Sequence, residues 1–150
     1  MRFLVVLATL ALFGVLGVRI VHALNPPQPL DMGGQLTLPD GPVVINVWAS
    51  WCEACRYEAQ TIADFERAHP DVPIVGVDND QDATTGANAA AGWGWHHTNV
   101  WDPRGQITQK LAADGIPTTI FLDSQHRVVK KIVSAATRDQ LEQGLRKARA

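Results

Sequence analysis

Two cysteines are the residues of this chain best suited to chemistry. Cys52 and Cys55 are its only cysteines, and they form a Cys-x-x-Cys motif within the segment from Val43 to Phe65. In this segment an apolar run typical of a buried strand comes first, the motif follows it, and a helical pattern begins at the motif. Such a motif at the start of a helix predicts dithiol–disulfide chemistry, because the unpaired N–H groups and the dipole of the first turn stabilise a thiolate. We expect Cys52 to attack a disulfide and Cys55 to resolve the resulting mixed disulfide.

Glu58 is a third candidate for catalysis. Steps of three and four place Cys55, Glu58, Ile62 and Phe65 on one helical face, and the apolar members predict that this face is buried. A buried carboxyl group is costly to ionise, so its pKa rises towards neutrality. We therefore expect Glu58 to exchange a proton with Cys55, one turn away. The alternative is that Glu58 bends outwards and pairs with Arg56 or with a lysine elsewhere.

The elements that must position these side chains alternate along the chain. Further strands are predicted at residues 35–38 (at the sheet edge), 72–77, 99–102, 119–122 and 127–133, the last two as a hairpin. Further helices are predicted at residues 83–91, at residues 106–113 and from Thr137, where Thr137 and Gln140 have capping-box spacing. Strands that alternate with helices in this way predict an α/β fold.

Two motifs in this order resemble the thioredoxin superfamily. The first is NVWASWCEACR, from Asn46 to Arg56, and the second is GIPTTIFLD, from Gly115 to Asp123. The resemblance spans residues 36 to 147, and the chain looks most like the membrane-anchored thiol–disulfide reductases of the TlpA/ResA/DsbE (CcmG) type. It implies a thioredoxin-like α/β sandwich: a central mixed sheet with helices on both faces and an insertion after the second core strand.

The resemblance also implies which residues contact the substrate. The Ile116–Pro117 bond is expected to be cis, which would turn the backbone of Ile116 towards the cysteines, where an extended substrate could pair with it. Beside and between the cysteines, Trp51, Glu53 and Ala54 are expected to contact the substrate as well.

The chain also departs from parts of this family. Thioredoxins bury an aspartate at the position of Asn46, and Asn46 cannot accept a proton; Glu58 resembles the active-site glutamate of the ResA-like group. The haem-maturation branch has a glutamate at the position of Thr118, and a proline often follows the active-site glutamate where Ala59-Gln60 stands here. These differences place the chain nearer the broader TlpA/ResA-like group.

The function implied by the resemblance is reduction of disulfides in exported proteins, with apocytochrome c a candidate substrate in cytochrome c maturation. Apart from the redox-active disulfide no cofactor is expected, and a membrane dithiol donor must recharge the enzyme because no nicotinamide or flavin motif is present. Glu53 beside Cys52, with no histidine between the cysteines, favours a weakly stabilised thiolate and hence a reducing couple. The alternatives are a disulfide oxidase or isomerase, and a copper-binding or chaperone module that uses both cysteines with a histidine.

Residues 1–24 have the composition of a targeting segment. They provide about 20 residues for a span if Arg19 lies at the interface. We expect a single-pass inner-membrane anchor that leaves the catalytic domain on the periplasmic side; the alternative is a signal peptide cleaved after Val21-His22-Ala23. Residues 25–35 are expected to form a Pro-rich linker and residues 36–150 the thioredoxin-like domain.

Composition excludes other classes. The net charge of −2, from 13 Lys and Arg against 15 Asp and Glu, provides no basic surface for nucleic acid. The acidic run from Asp78 to Asp82 imitates a calcium loop, but Ala83 replaces its required glycine. We expect a solvated loop there, with its last acidic residues capping the next helix.

The segment from Trp93 to His97 has two interpretations. Its two tryptophans could form an aromatic wall beside the active site, or they could cover the edge of the sheet. A metal site built from His96 and His97 with the cysteines is disfavoured because adjacent histidines point apart.

Overall fold

The strand that precedes the cysteines is the centre of the fold. All six residues of β1 (Val43–Trp48) are buried. Because successive side chains of a strand point to opposite faces, Val44 and Trp48 join one hydrophobic cluster, and Val43, Ile45 and Val47 join the other. A strand that is apolar on both faces requires a layer of chain above and below it.

The computed structural model describes residues 28–150. The remaining strands are β2 (Ile74–Asp78), β3 (Thr98–Trp101), β4 (Thr118–Leu122) and β5 (Val128–Val133). The helices are α1 (Glu53–Ala68), α2 (Ala83–Gly92), α3 (Gln106–Lys110) and α4 (Arg138–Ala148). The predicted anchor and the first residues of the predicted linker lie outside the described residues. Within residues 28–150, no helix is both long and apolar enough to span a membrane.

The five strands form one mixed sheet in the order β3-β2-β1-β4-β5. β1 pairs in parallel with β2, and β2 with β3, whereas β4 runs antiparallel to both β1 and β5. This is the predicted thioredoxin-like α/β sandwich, and α2 follows β2, where the insertion is expected. The register aligns Trp48, Asp78 and Trp101, so the three parallel strands end together. The cysteines follow directly from this end of the sheet.

The predicted strand at residues 35–38 is wrong. This segment forms no ladder with the sheet: a turn at residues 33–34 is followed by bends at 35–36, and Leu36 is buried. Leu36 and the buried Met32 pack with Ile107 of α3 in the cluster that covers one face of the sheet. The apolar residues of this segment are therefore buried against a sheet face, and no pairing at a sheet edge is needed to remove them from water.

The predicted helix boundaries hold at α4 and shift at α3. Thr137 is the N-cap of α4, and Thr137 and Gln140 form the complete capping box. The helix predicted at residues 106–113 ends at Lys110. Ala112 has a φ of +48°, a left-handed conformation that stops the helix from continuing.

Candidate active site

Cys52 and Cys55 lie at the start of α1 and are joined by a disulfide. Cys52 is the N-cap of the helix, and its Sγ accepts a hydrogen bond of 3.1 Å from the backbone N–H of Cys55. Cys55 is completely buried, whereas 7% of Cys52 is exposed. Cys52 is therefore the sulfur that a partner can reach, and an N–H group is in place to stabilise its thiolate.

The Glu58 carboxyl group is enclosed one turn further along α1. Only 2% of the residue is exposed, its Oε1 accepts a hydrogen bond of 3.0 Å from Asn46 Nδ2, and its Oε2 accepts one of 2.7 Å from the Ala136 N–H. Burial raises the pKa of Glu58 above its ordinary value, and the two hydrogen bonds only partly oppose this. The alternative that Glu58 turns outwards to Arg56 or a lysine is wrong.

Asn46 connects the carboxyl group to the sheet. Asn46 faces Thr119 across the β1–β4 ladder, and its Nδ2 also donates to Thr119 Oγ1 at 3.1 Å. Its Oδ1 is buried and has no hydrogen-bond partner among the described residues. The site thus holds a buried carboxyl group beside a free amide oxygen, an arrangement able to accommodate Glu58 with or without its proton.

The residues expected to contact a substrate surround Cys52 on the surface. Trp51 is 65% exposed, Glu53 is exposed and Ala54 is half-buried. The Ile116–Pro117 peptide bond is cis, as expected. Ile116 is half-buried and packs against the hydrophobic cluster that contains both cysteines. Substrate contact by these residues remains a prediction, but an exposed indole beside the accessible sulfur offers apolar surface to a partner.

Two acidic residues that the sequence placed in a solvated loop are buried. Asp78 and Asp80 are 3% and 2% exposed, and only Asp82 has the predicted role, as N-cap of α2. The Asp80 carboxylate accepts two hydrogen bonds from Ser50: 2.8 Å from its N–H and 2.7 Å from its hydroxyl. Burial raises the pKa of Asp78 to about 6; the hydrogen bond from the Asp80 N–H opposes this rise, and the Asp80 carboxyl group adds to it. The sequence offered one signal for this proximity. The carboxyl ends of parallel strands lie at the same edge of a sheet, so the loop after the second strand is expected to lie close to the cysteines.

The tryptophan-rich segment has a packing role. The rings of Trp48, Trp93 and Trp95 form three edge-to-face pairs with centroids 4.9 to 5.1 Å apart. Trp95 is 5% exposed, and its indole N–H donates to the Ala59 carbonyl of α1 at 2.9 Å. Trp95 therefore packs between α1 and the sheet, with Trp93 half-buried against it, in the hydrophobic cluster that also contains both cysteines.

His97 belongs to the same packing and lies away from the cysteines. Its ring stacks on Trp95 at 5.0 Å, and its Nδ1 is 3.3 Å from the Glu66 carboxylate, about three helical turns beyond Cys55. Burial lowers the pKa of His97. Among residues 28–150, no three His, Cys, Asp or Glu side chains are grouped so as to hold a metal ion.

Several similar proteins are named for thiol–disulfide exchange. The sequence model of the Redoxin family matches residues 22–146. The thiol:disulfide interchange protein DsbE homologue of Paracoccus denitrificans is 25% identical over 115 residues, which are 75% of this chain and 62% of that protein. The thiol-disulfide oxidoreductase ResA of Bacillus thuringiensis is 24% identical over 107 residues, 70% of this chain and 62% of ResA. The chain thus spans a little under two thirds of each relative.

Solved structures have the same fold. A DsbF homologue from Corynebacterium diphtheriae is 27% identical, with a TM-score of 0.66 over 71% of each chain. A secreted Mycobacterium tuberculosis disulfide oxidoreductase homologous to Escherichia coli DsbE has a TM-score of 0.65 over 71% of this chain and 81% of its own. At 22% identity, this second likeness concerns the fold alone.

Proposed function

Because the chain belongs to the Redoxin family, we propose that it is a thiol–disulfide oxidoreductase of the DsbE/ResA type that reduces disulfides in exported proteins. The observation that carries this proposal is the pairing of an accessible Cys52 with a buried Cys55 at the start of α1. The accessible sulfur can meet a substrate, and the buried one can meet only Cys52.

The reaction starts from the dithiol form of the protein. The Cys52 thiolate attacks one sulfur of a substrate disulfide, so that a new S–S bond forms and the second substrate sulfur leaves as a thiolate that takes up a proton. Cys55 then loses its proton and attacks Cys52, which expels the first substrate sulfur. Two electrons and two protons pass to the substrate, and the Cys52–Cys55 disulfide seen in the structure is the product.

Glu58 supports the second of these steps. Cys55 has no contact with solvent, so its proton needs an internal acceptor when it becomes the attacking thiolate. Glu58 lies on the same buried helical face, and a raised pKa suits a group that takes a proton at one step and returns it later. Asn46 holds the carboxyl group in place through the hydrogen bond to Oε1.

The proposed direction is reduction. Negative charge near Cys52 disfavours its thiolate, and the exposed Glu53 is its immediate neighbour, where its side chain is held by a hydrogen bond of 3.2 Å from the Tyr57 hydroxyl. A less stable thiolate makes the dithiol a better reductant. A disulfide oxidase or isomerase would use the same cysteines at a higher potential. The copper-binding alternative gains no support, because His97 lies beside Glu66 instead of the cysteines.

The proposed partners follow from this chemistry and from the N-terminal segment. We place the catalytic domain on the periplasmic side of the inner membrane, with residues 1–24 as its anchor. Exported proteins with disulfides are the substrates, apocytochrome c among them, and a membrane dithiol protein returns electrons to the Cys52–Cys55 disulfide.

Insulin reduction and a redox titration test the proposal. The reduced protein should precipitate insulin in the presence of dithiothreitol, and Cys52→Ser should abolish this activity. Equilibration with glutathione buffers, followed by tryptophan fluorescence, should give a potential below about −230 mV, in or below the range of reducing thioredoxin-like proteins. A potential near about −120 mV would instead identify an oxidase. Uptake of copper without any reductase activity would favour the copper-binding alternative.

A further inference from the structure

Asp80 is the buried residue most closely connected to the loop that carries Cys52. Its carboxylate receives both the N–H and the hydroxyl hydrogen bonds of Ser50, at 2.8 and 2.7 Å. Ser50 lies in the short turn between the end of β1 and Cys52. A charged acceptor with two donors is a strong contact, and here it fixes one residue of this turn.

The rest of the structure holds Asp80 itself in place. Its N–H donates to Asp78 Oδ1 at 2.9 Å, and its carbonyl accepts a hydrogen bond of 2.8 Å from the indole of Trp101. The preceding residue, Asn79, donates its N–H to the Trp48 carbonyl at 2.9 Å. Hydrogen bonds of Asp80 and Asn79 therefore hold Asp80 at the ends of all three parallel strands. Ser50 cannot move away from Asp80 without breaking its own hydrogen bonds to this fixed carboxylate.

The position of this turn matters for attack on a disulfide. Sulfur–sulfur displacement needs close approach and alignment of the attacking thiolate, and small misplacements of a reacting group reduce rates strongly. Only Trp51 separates Ser50 from Cys52, and the Cys52 N–H bonds back to Ala49 at 3.2 Å. Movement of Ser50 would therefore displace both the sulfur and the exposed indole beside it.

We propose that Asp80 is a positioning residue for thiol–disulfide exchange, acting through Ser50 to hold the Trp51–Cys52 segment in its reactive geometry. This inference rests on the proposed function, because it concerns the rate of the same reaction. Asp80 touches no reacting atom in the structure; its effect passes through the two hydrogen bonds to Ser50.

The test compares variants that remove or keep those bonds. Asp80→Ala removes both acceptors and should lower the second-order rate constant of the reduced protein with oxidised glutathione by about tenfold or more. Asp80→Asn should restore the rate to within about threefold, because its amide oxygen can accept from the Ser50 N–H while its NH₂ group donates to the Ser50 hydroxyl. Rates are measured per folded protein by stopped-flow tryptophan fluorescence.

Asp82→Ala is the matched control. Asp82 lies two residues further on in the same loop, but its bonds go to Thr84 and Thr85 of α2. Its removal should lower stability through loss of the N-cap and leave the exchange rate unchanged. Ser50→Ala removes one of the two bonds to Asp80 and should reduce the rate by a smaller factor, with no further effect when Asp80 is already alanine. This variant carries the test if Asp80→Ala does not fold.

Amide hydrogen exchange separates failure of this inference from failure of the proposed function. Asp80→Ala should remove the protection of the Ser50 amide, and Asp80→Asn should keep it, whatever reaction the protein catalyses. A wild-type rate in Asp80→Ala would overturn the positioning role while the function stands. So would a loss of rate in Asp80→Asn or in Asp82→Ala as large as the loss in Asp80→Ala. A wild-type protein that does not react with disulfides at all would overturn the function, even if the protection pattern is as expected.

Discussion

Replacement of Glu58 by glutamine tests the buried carboxyl group directly. The change keeps the shape of the side chain and removes its ability to ionise. Two donors point at the carboxyl group: Asn46 Nδ2 at 3.0 Å and the Ala136 N–H at 2.7 Å. The amide of the variant can accept from the Ala136 N–H through its oxygen. Its NH₂ group then faces Asn46, whose amide can turn and present the oxygen that has no partner.

The effect on stability should depend on pH with a defined sign. At pH values below about 4.5 the carboxyl group is protonated in both the folded and the unfolded protein, so Glu58→Gln should change the free energy of unfolding by about 1 kcal/mol or less. Above that pH the unfolded chain releases the proton and the folded protein keeps it, because burial raises the folded pKa. Wild-type stability therefore falls relative to the variant as pH rises, by up to about 1.4 kcal/mol per pH unit. The difference stops growing once Glu58 also ionises in the folded state.

The kinetic effect should appear in the resolving step. Without the carboxyl group, Cys55 has no internal acceptor for its proton, and resolution should slow by about a hundredfold. Its pH dependence should flatten, because the buried carboxyl group whose pKa is raised is absent.

Two assays measure these effects with one control. Urea denaturation of the disulfide form, at pH values from about 4 to 8, gives the free energy of unfolding, and stopped-flow reduction of a model disulfide gives the resolution rate. Asp64→Asn is the control, because it makes the same chemical change at an exposed position of the same helix, more than two turns beyond Cys55. Stability curves of wild type and Glu58→Gln that stay parallel across this range would refute a raised pKa. Superimposable rate profiles would remove Glu58 from the mechanism.

Three further outcomes are expected. Cys55→Ser should accumulate mixed disulfides with exported proteins, since the resolving thiol is missing, and reductant should break these disulfides. Equal trapping by Cys52→Ser on non-reducing gels would contradict the assigned roles of the two cysteines. Trp95→Ala should lower the free energy of unfolding by about 3–5 kcal/mol, because the ring is buried among other aromatic rings, and a loss below about 1 kcal/mol in urea would contradict this packing. Gly144→Ala should cost about 1–3 kcal/mol in the same assay, because its new Cβ would lie within 2.5 Å of Phe121 ring atoms; unchanged stability would show that the ring can move aside.

The sequence by itself determined the local parts of the site. Spacing of three and four along α1 identified Cys55 and Glu58 as members of one buried face, since a helix of 3.6 residues per turn brings such positions together. The strand–cysteine–helix order placed Cys52 at the start of the helix, and in the structure it is the N-cap of α1. These predictions succeed because both periodicity and capping depend on residues only a few positions apart.

The tertiary structure alone decided which distant groups meet this local frame. Asp80 is bonded to Ser50 across 30 positions, and Glu58 to Ala136 across 78. A polar residue in a loop is expected to be solvated unless a partner satisfies its hydrogen bonds, and the partner here comes from another strand end. The parallel pairing of β1 with β2 brings Asp80 to Ser50. The acidic loop is therefore partly buried and holds the turn that precedes Cys52. The physical reason is that burying a carboxylate is too costly unless hydrogen-bond donors surround it. Strand register decides which donors lie close to it, and spacing along the chain does not encode that register.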